Sequence, residues 1–159
     1  MNNNALATFG GGCFWGVEEF YRTMDGVSKT TVGYIGGAVE KPTYEQVCSD
    51  KTGHAEVVQV EFDPTVVSYE ALLEVFFNNH NPTQLNYQGP DHGTQYRSSV
   101  FVHDQDQRAA AQKMIDTLSA SGKFSKPIVT TIEDAATFWP AEEYHQQYLA
   151  KRGLSSCHI

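Results

Sequence analysis

Cysteine is scarce in this chain: three residues in 159, Cys13, Cys48 and Cys157, widely spaced and odd in number. That excludes a disulfide scaffold, and the lack of any C-x-x-C pair leaves a structural zinc site without support. Basic residues are also few. Lys and Arg make 11 against 19 Asp and Glu, a formal net charge of −8, which excludes a nucleic-acid-binding domain that relies on net positive charge. No long hydrophobic run is present, and the stretch Met1–Ala5 has neither a basic region nor an apolar core. Neither a secretion signal nor a membrane segment is expected, so the expected setting is the cytoplasm, where thiols stay reduced. Internal repeats and low-complexity linkers are missing too. With 40% hydrophobic residues, the length fits one domain over 1–159 that needs no staple.

What is present reads as alternating strands and helices. Ala5–Phe9 predicts a short buried strand broken by Gly10-Gly11-Gly12. Phe14–Tyr21 predicts a helix, Ser28–Tyr34 a strand rich in Thr, Val and Tyr, and Thr43–Cys48 one helical turn after Pro42. Ala55–Phe62 alternates cleanly and ends at Asp63-Pro64. Ser68 is an N-cap for a helix whose buried face is Tyr69, Leu72, Leu73 and Phe76, at i, i+3, i+4 and i+7. Residues 78–97 are polar and read as a long loop, a length that inside a compact domain points to function. Then come a strand, Ser98–His103, a helix capped by Asp104 and Gln107 and stopped near Gly122, and a strand, Ile128–Ile132. Pro140 opens a last helix, Ala141–Lys151, followed by an extended tail over 153–159. The order β-α-β-β-α-β followed by α-β-α implies an α+β fold with a ferredoxin-like split βαβ core and a mixed sheet, enlarged by an extra strand and helices.

Three places carry candidate chemistry. Cys13 follows three glycines and opens a helix, where free N–H groups and the helix dipole ease ionisation of a thiol. It is a nucleophile there or else a buried structural cysteine. Phe14 and Trp15 beside it are either an apolar wall for a methyl or thioether group or core residues of the helix. Glu56 shares the strand face of Val58, Val60 and Phe62 at its open end. Desolvation there would raise its pKa and make it a proton donor, unless the side chain snorkels to water. The run Asp91-His92-Gly93-Thr94-Gln95-Tyr96-Arg97 holds a carboxylate, an imidazole, a phenol and a guanidinium. Tyr34 and Tyr44 add hydroxyls able to stabilise developing negative charge. Cys157, two residues from the end, is an inert tail cysteine or a thiol that condenses with a sulfenic acid. Cys48 reads as structural. None of the six histidines has H-x-x-x-H or H-E-x-x-H spacing, so no metal site is expected.

Gly12-Cys13-Phe14-Trp15-Gly16 resembles the signature of the methionine sulfoxide reductase A family. The resemblance runs on through Gly33-Tyr34-Ile35-Gly36-Gly37, Pro42-Thr43-Tyr44, Cys48-Ser49 and Gly53-His54-Ala55-Glu56. It then takes in Asp91 to Ser98 and Tyr144-His145-Gln146-Gln147-Tyr148-Leu149, so that it covers nearly the whole chain. It implies a cofactor-free thiol reductase of the S epimer of methionine sulfoxide, acting on the free amino acid and on oxidised residues in proteins. Cys13 is then the nucleophile. Phe14 and Trp15 receive the substrate methyl group. Glu56, Tyr44 and Tyr96 bind and protonate the sulfoxide oxygen, with Asp91 and His92 on the polar side of the pocket. Cys157 is the resolving thiol, its disulfide with Cys13 being reduced by thioredoxin. Many members carry a second tail cysteine, and this chain has none. A monomer is expected, with no nucleic-acid or membrane partner. The residues themselves also allow a Cys–His hydrolase using His54 or His92 as base, and a non-enzymatic module that holds a thioether ligand.

Overall fold

The computed structural model describes residues 4–49 and 51–153. Its elements are β1 (Ala5–Gly10), α1 (Phe14–Tyr21), β2 (Val27–Ile35), α2 (Tyr44–Cys48), β3 (Ala55–Phe62), α3 (Tyr69–Asn79), β4 (Tyr87–Gln88), β5 (Asp91–His92), β6 (Ser99–Val102), α4 (Gln105–Ser121), β7 (Thr131–Asp134), β8 (Trp139–Pro140) and α5 (Tyr148–Lys151). Short 3-10 turns stand at Thr94–Tyr96 and Glu143–His145. Six strands form one sheet in the order β7-β6-β1-β3-β2-β8. β1 and β2 flank β3, each antiparallel to it, and β6 lies antiparallel on the other side of β1. That is the split βαβ core the sequence predicts. β7 adds to β6 in parallel and makes the sheet mixed.

The strand alternation holds. Val58, Val60 and Phe62 join Ala7, Phe9, Val32 and Tyr34 in the main core under the helices, while Val57 packs with Ile35, Ala55 and Phe101 in a small cluster on the opposite face. The N-cap residues are those expected, but the capping box at Asp104 is half made: Gln107 spends its side chain on the His103 N–H and the Leu6 carbonyl. Ser68 accepts from the Ala71 N–H at 3.1 Å and Asp104 from the Gln107 N–H at 2.8 Å. Gly122 closes α4 in the left-handed region at φ 73.

Three expectations need correction. The helix over Ala141–Lys151 is broken. Its residues form the 3-10 turn at Glu143–His145, a left-handed Gln147 (φ 53, ψ 38), and the short α5. The physical reason is competition from distant partners. Gln146 brackets β2, its Oε1 accepting from the Val32 N–H and its Nε2 donating to the Val32 carbonyl, each at 2.9 Å. Second, Trp139–Pro140 is a strand on the edge of β2, where proline is tolerated. Its approach requires Gly33, since a Cβ there would stand 2.4 Å from the Trp139 carbonyl. Third, the strand expected at Ile128–Ile132 starts at Thr131, because the Val129 N–H goes to the Pro82 carbonyl instead. Within the long loop, β4 and β5 form a hairpin.

Candidate functional site

The sheet brings the sequence motifs to one end of β1, β2 and β3. Glu56, the second residue of β3, pairs in register with Tyr34 of β2. The chain leaves β1 beside it through Gly10-Gly11-Gly12. Gly12 is in the left-handed region (φ 98) and donates its N–H to the Tyr96 carbonyl at 3.2 Å. A side chain there would meet Gln88 at 2.9 Å, so glycine is required on both counts. Cys13 follows in extended conformation as the N-cap of α1, and its carbonyl receives the Gly16 and Val17 N–H groups. Its side chain makes no capping bond. Half-buried, the thiol stands where the orphan N–H groups of the helix start are concentrated.

Glu56 is fully buried and does not snorkel. Its Oε1 accepts from the Phe14 N–H at 3.3 Å, and its Oε2 from the Gln95 amide at 3.2 Å. The first bond ties the carboxyl to the residue after Cys13. The second ties it to the 3-10 turn that carries Tyr96. Gln95 is itself buried.

Aromatic rings wall the apolar side. Phe14 is fully buried and meets Tyr34 at 5.6 Å, His145 at 5.2 Å and Tyr44 at 6.2 Å between ring centroids. Trp15 is half-buried, stacks flat on Tyr148 at 3.7 Å, and faces Tyr44 at 6.3 Å. Its indole N–H donates to His145 Nδ1 at 2.9 Å. Since Nδ1 accepts, neutral His145 carries its proton on Nε2, which is buried and has no partner among the described residues. Burial lowers the pKa of this imidazole, with Glu142 opposing.

The Tyr44 and Tyr96 phenols both feel the Glu56 charge. Tyr44 is pushed well above the usual tyrosine value by burial, then by the Glu56 charge and by its hydrogen bond to Cys48. Tyr96 rises by burial, then by Glu56, with Cys48, Asp91 and Cys13 adding to it. Both therefore stay protonated and able to donate. Asp91 thus stands on the Tyr96 side of the site. His92 is exposed and stacks its ring on Tyr87 at 5.0 Å. His54 is committed elsewhere, its Nδ1 accepting from the Gly37 N–H at 3.0 Å and its Nε2 donating to the Val39 carbonyl at 2.6 Å. That leaves His54 no nitrogen for the base role considered above. Arg97 braces the loop through the Gly53 and Thr94 carbonyls and Glu133. Cys157 lies outside the described residues.

Several site groups escape a sequence reading. Cys48, exposed, is one turn of α2 beyond Tyr44, and the Tyr44 phenol and the Gln95 side chain act on its thiol. Partial desolvation raises its pKa first, and Glu56 adds to the rise. Glu142 accepts from the Tyr34 phenol at 3.0 Å and the Tyr44 N–H at 3.1 Å. Burial works against its ionised form, yet backbone N–H donors and Tyr34 hold its carboxyl below the ordinary value. The i, i+4 spacing of Tyr44 and Cys48 was the available signal for the first. For Glu142 and His145 it was only their place in the 144–149 motif and beside it.

The chain matches the family model for peptide methionine sulfoxide reductase over residues 5–159. It is 58% identical over 155 residues to the peptide methionine sulfoxide reductase MsrA of Acidobacterium capsulatum, covering 98% of this chain and 99% of that one. Among solved structures, reduced Mxr1 from Saccharomyces cerevisiae superposes with a TM-score of 0.89 at 39% identity, covering 94% of this chain and 86% of that one. Mxr1 in complex with Trx2 superposes with a TM-score of 0.64 at 28% identity, covering 91% and 84%. With a thiol at a helix start, a buried carboxyl and an aromatic wall converging on one end of the sheet, the chain belongs to the peptide methionine sulfoxide reductase family, oxidoreductases that reduce methionine sulfoxide.

Proposed function

We propose that the chain reduces the S epimer of methionine sulfoxide, free and within proteins, with Cys13 as nucleophile and Glu56 as proton donor. The observation that carries this reading is the Glu56 carboxyl, buried and hydrogen-bonded to the residue that follows Cys13. Sulfoxide oxygen leaves poorly unless protonated, so a thiolate attacking sulfur needs an acid beside it. The Glu56 carboxyl is buried, and burial disfavours the charged form of a carboxyl group. The Tyr44 and Tyr96 phenols donate to the same oxygen as it gains charge. Phe14 and Trp15 receive the methyl group, and Asp91 and His92 line the polar rim.

Attack on sulfur forms the Cys13 S–S bond to substrate as the oxygen accepts a proton; a second proton lets the S–O bond break and the oxygen leave as water. A water molecule then attacks the Cys13 sulfur and gives up a proton, breaking the S–S bond so that methionine departs and a sulfenic acid is left on Cys13. The Cys157 thiol displaces hydroxide from that sulfur, giving water and a Cys13–Cys157 disulfide. A dithiol protein then takes the disulfide by exchange, and the Trx2 complex of the yeast relative supports thioredoxin in this role. No cofactor enters the cycle.

The direct test is reduction of the separated epimers of dabsylated methionine sulfoxide with dithiothreitol. The S epimer should be consumed and the R epimer left, with Cys13→Ser inactive. Full activity of Cys13→Ser sinks the assignment.

A further inference from the structure

Glu18 is a buried carboxylate that the chemistry above does not use. Phe14, Val17, Glu18 and Tyr21 form the buried stripe of α1, and Glu18 is 1% exposed within it. Both of its oxygens are engaged. The Thr30 hydroxyl donates to Oε2 at 2.7 Å, and the Gln147 backbone N–H donates to Oε1 at 2.8 Å. Gln147 stands where the chain leaves the 3-10 turn and enters α5, at φ 53 and ψ 38. A residue with a Cβ resists that conformation and keeps it only when its surroundings impose it. The next residue, Tyr148, lies on Trp15 with 3.7 Å between centroids and 5° between planes. Its ring also carries the Arg152 guanidinium at 3.6 Å. Trp15 is therefore gripped by Tyr148 on its face and by His145 at its indole N–H.

We infer that Glu18 is a positioning residue for the substrate pocket: by holding the Gln147 N–H it maintains the left-handed turn that lays Tyr148 on Trp15, and so sets the plane of the apolar wall. The inference rests on the assignment of Trp15 to the methyl-binding wall. It makes the fit of the thioether group depend on a carboxylate that never touches substrate. Glutamine at this position keeps both bonds, with its carbonyl accepting from Gln147 and its amide donating to Thr30. Alanine loses both.

The test combines sulfoxide-reduction kinetics with Trp15 fluorescence in a Trp139→Phe background, Trp139 being the second of two tryptophans. In Glu18→Ala, KM should rise about tenfold with kcat within about threefold, because binding is lost rather than chemistry. Trp15 emission should change as Tyr148 lifts away, while Cys13 alkylates at the parent rate. Glu18→Gln should restore both readouts. Tyr148→Ala should reproduce the effect on KM, and Glu18→Ala/Tyr148→Ala should be no worse than Tyr148→Ala alone, as expected for two residues acting through one contact. Parent KM and emission in Glu18→Ala overturn the inference, and so do effects that multiply in the double variant. Should Glu18→Ala lose its cooperative melt, Thr30→Val removes one bond only. A rise in KM of about threefold supports the inference, and an unchanged KM overturns it. A parent chain that fails to reduce methionine sulfoxide fails the functional reading instead. The fluorescence cycle needs no substrate and decides Glu18 separately.

Discussion

Glu56 occupies a position where the apolar face of β3 would otherwise continue, and its carboxyl is sealed from water between Phe14 and Gln95. An amide in its place keeps one accepting oxygen, enough for the Phe14 bond, but supplies no acidic proton. Glu56→Gln should therefore slow sulfoxide reduction by about 10²–10⁴-fold, with Cys13 alkylation by iodoacetamide near the parent rate. An unchanged turnover removes Glu56 from the chemistry. The two thiols near it are set apart by environment. Cys48 is exposed, but partial desolvation and the Glu56 charge hold its thiol above the usual value, against the Tyr44 phenol and the Gln95 side chain. Cys13 stands at the N-terminus of α1, a position that favours the thiolate. Limited alkylation followed by peptide mapping should mark Cys13 first and Cys48 later. The reverse order would contradict this account. The Tyr44 and Tyr96 phenols, raised by burial and by Glu56, should contribute no loss of activity up to pH 10.

At the scale of elements, the segment from Trp139 to Arg152 acts as a strap rather than a helix. It pairs with β2 through β8, brackets Val32 with Gln146, and reaches Tyr34 and Tyr44 through Glu142. It is in this way that His145 and Tyr148 arrive at Trp15. Gln146→Ala leaves the Val32 N–H and carbonyl, both in a buried strand, without that partner. A loss of about 1–3 kcal/mol in urea unfolding is expected. A melt superimposable on that of the parent would mean that β8 alone secures the strap. The strap also explains why helix periodicity misleads at Ala141–Lys151. A helix there would leave Glu18, Val32 and Trp15 without the partners the strap supplies, and these tertiary bonds outweigh local propensity.

At the scale of the molecule, two properties integrate many residues. Reaction of a stoichiometric amount of methionine sulfoxide without reductant should lower the intact mass by two hydrogens, with peptide mapping joining Cys13 to Cys157. A pairing of Cys13 with Cys48 would reassign the resolving step. Stability should depend on pH through His80. Its Nδ1 donates to the Phe76 carbonyl at 2.6 Å and its Nε2 accepts from Ser98 at 2.7 Å, tying α3 to the start of β6. Burial lowers its pKa from 6.5 to about 4. In the unfolded chain the imidazole gains its proton near 6.5, whereas in the folded chain it does so only near 4. The stability held by neutral His80 is therefore complete above pH 6.5, falls through this window and is gone below it. A His80→Gln variant should show a flatter melting temperature between pH 6.5 and 4 than the parent, and equal slopes would remove His80 from the account.

Residues acting over short range were legible without a structure. The period-two face of β3 located Glu56, the caps Ser68 and Asp104 placed two helices, and the glycine run placed Cys13 at a helix start. Each depends on neighbours a few positions away, where one backbone conformation is clearly favoured. Glu18 was open to the same reasoning, since it sits on the i, i+3, i+4, i+7 stripe of α1 between Val17 and Tyr21. Its meaning was not, because the partner that explains it lies 129 residues along the chain. The same holds for Gln146 on Val32, 114 residues apart, and for His145 on Trp15, 130 apart. The sequence by itself determined the α+β core, the caps, the place of Cys13 at a helix start and that of Glu56 on the buried face of β3. Only the tertiary structure decided the strap, the seat of Glu142 on Tyr34 and Tyr44, and the grip on Trp15. In those segments local preferences were weak or pointed elsewhere, and bonds between distant residues chose the conformation.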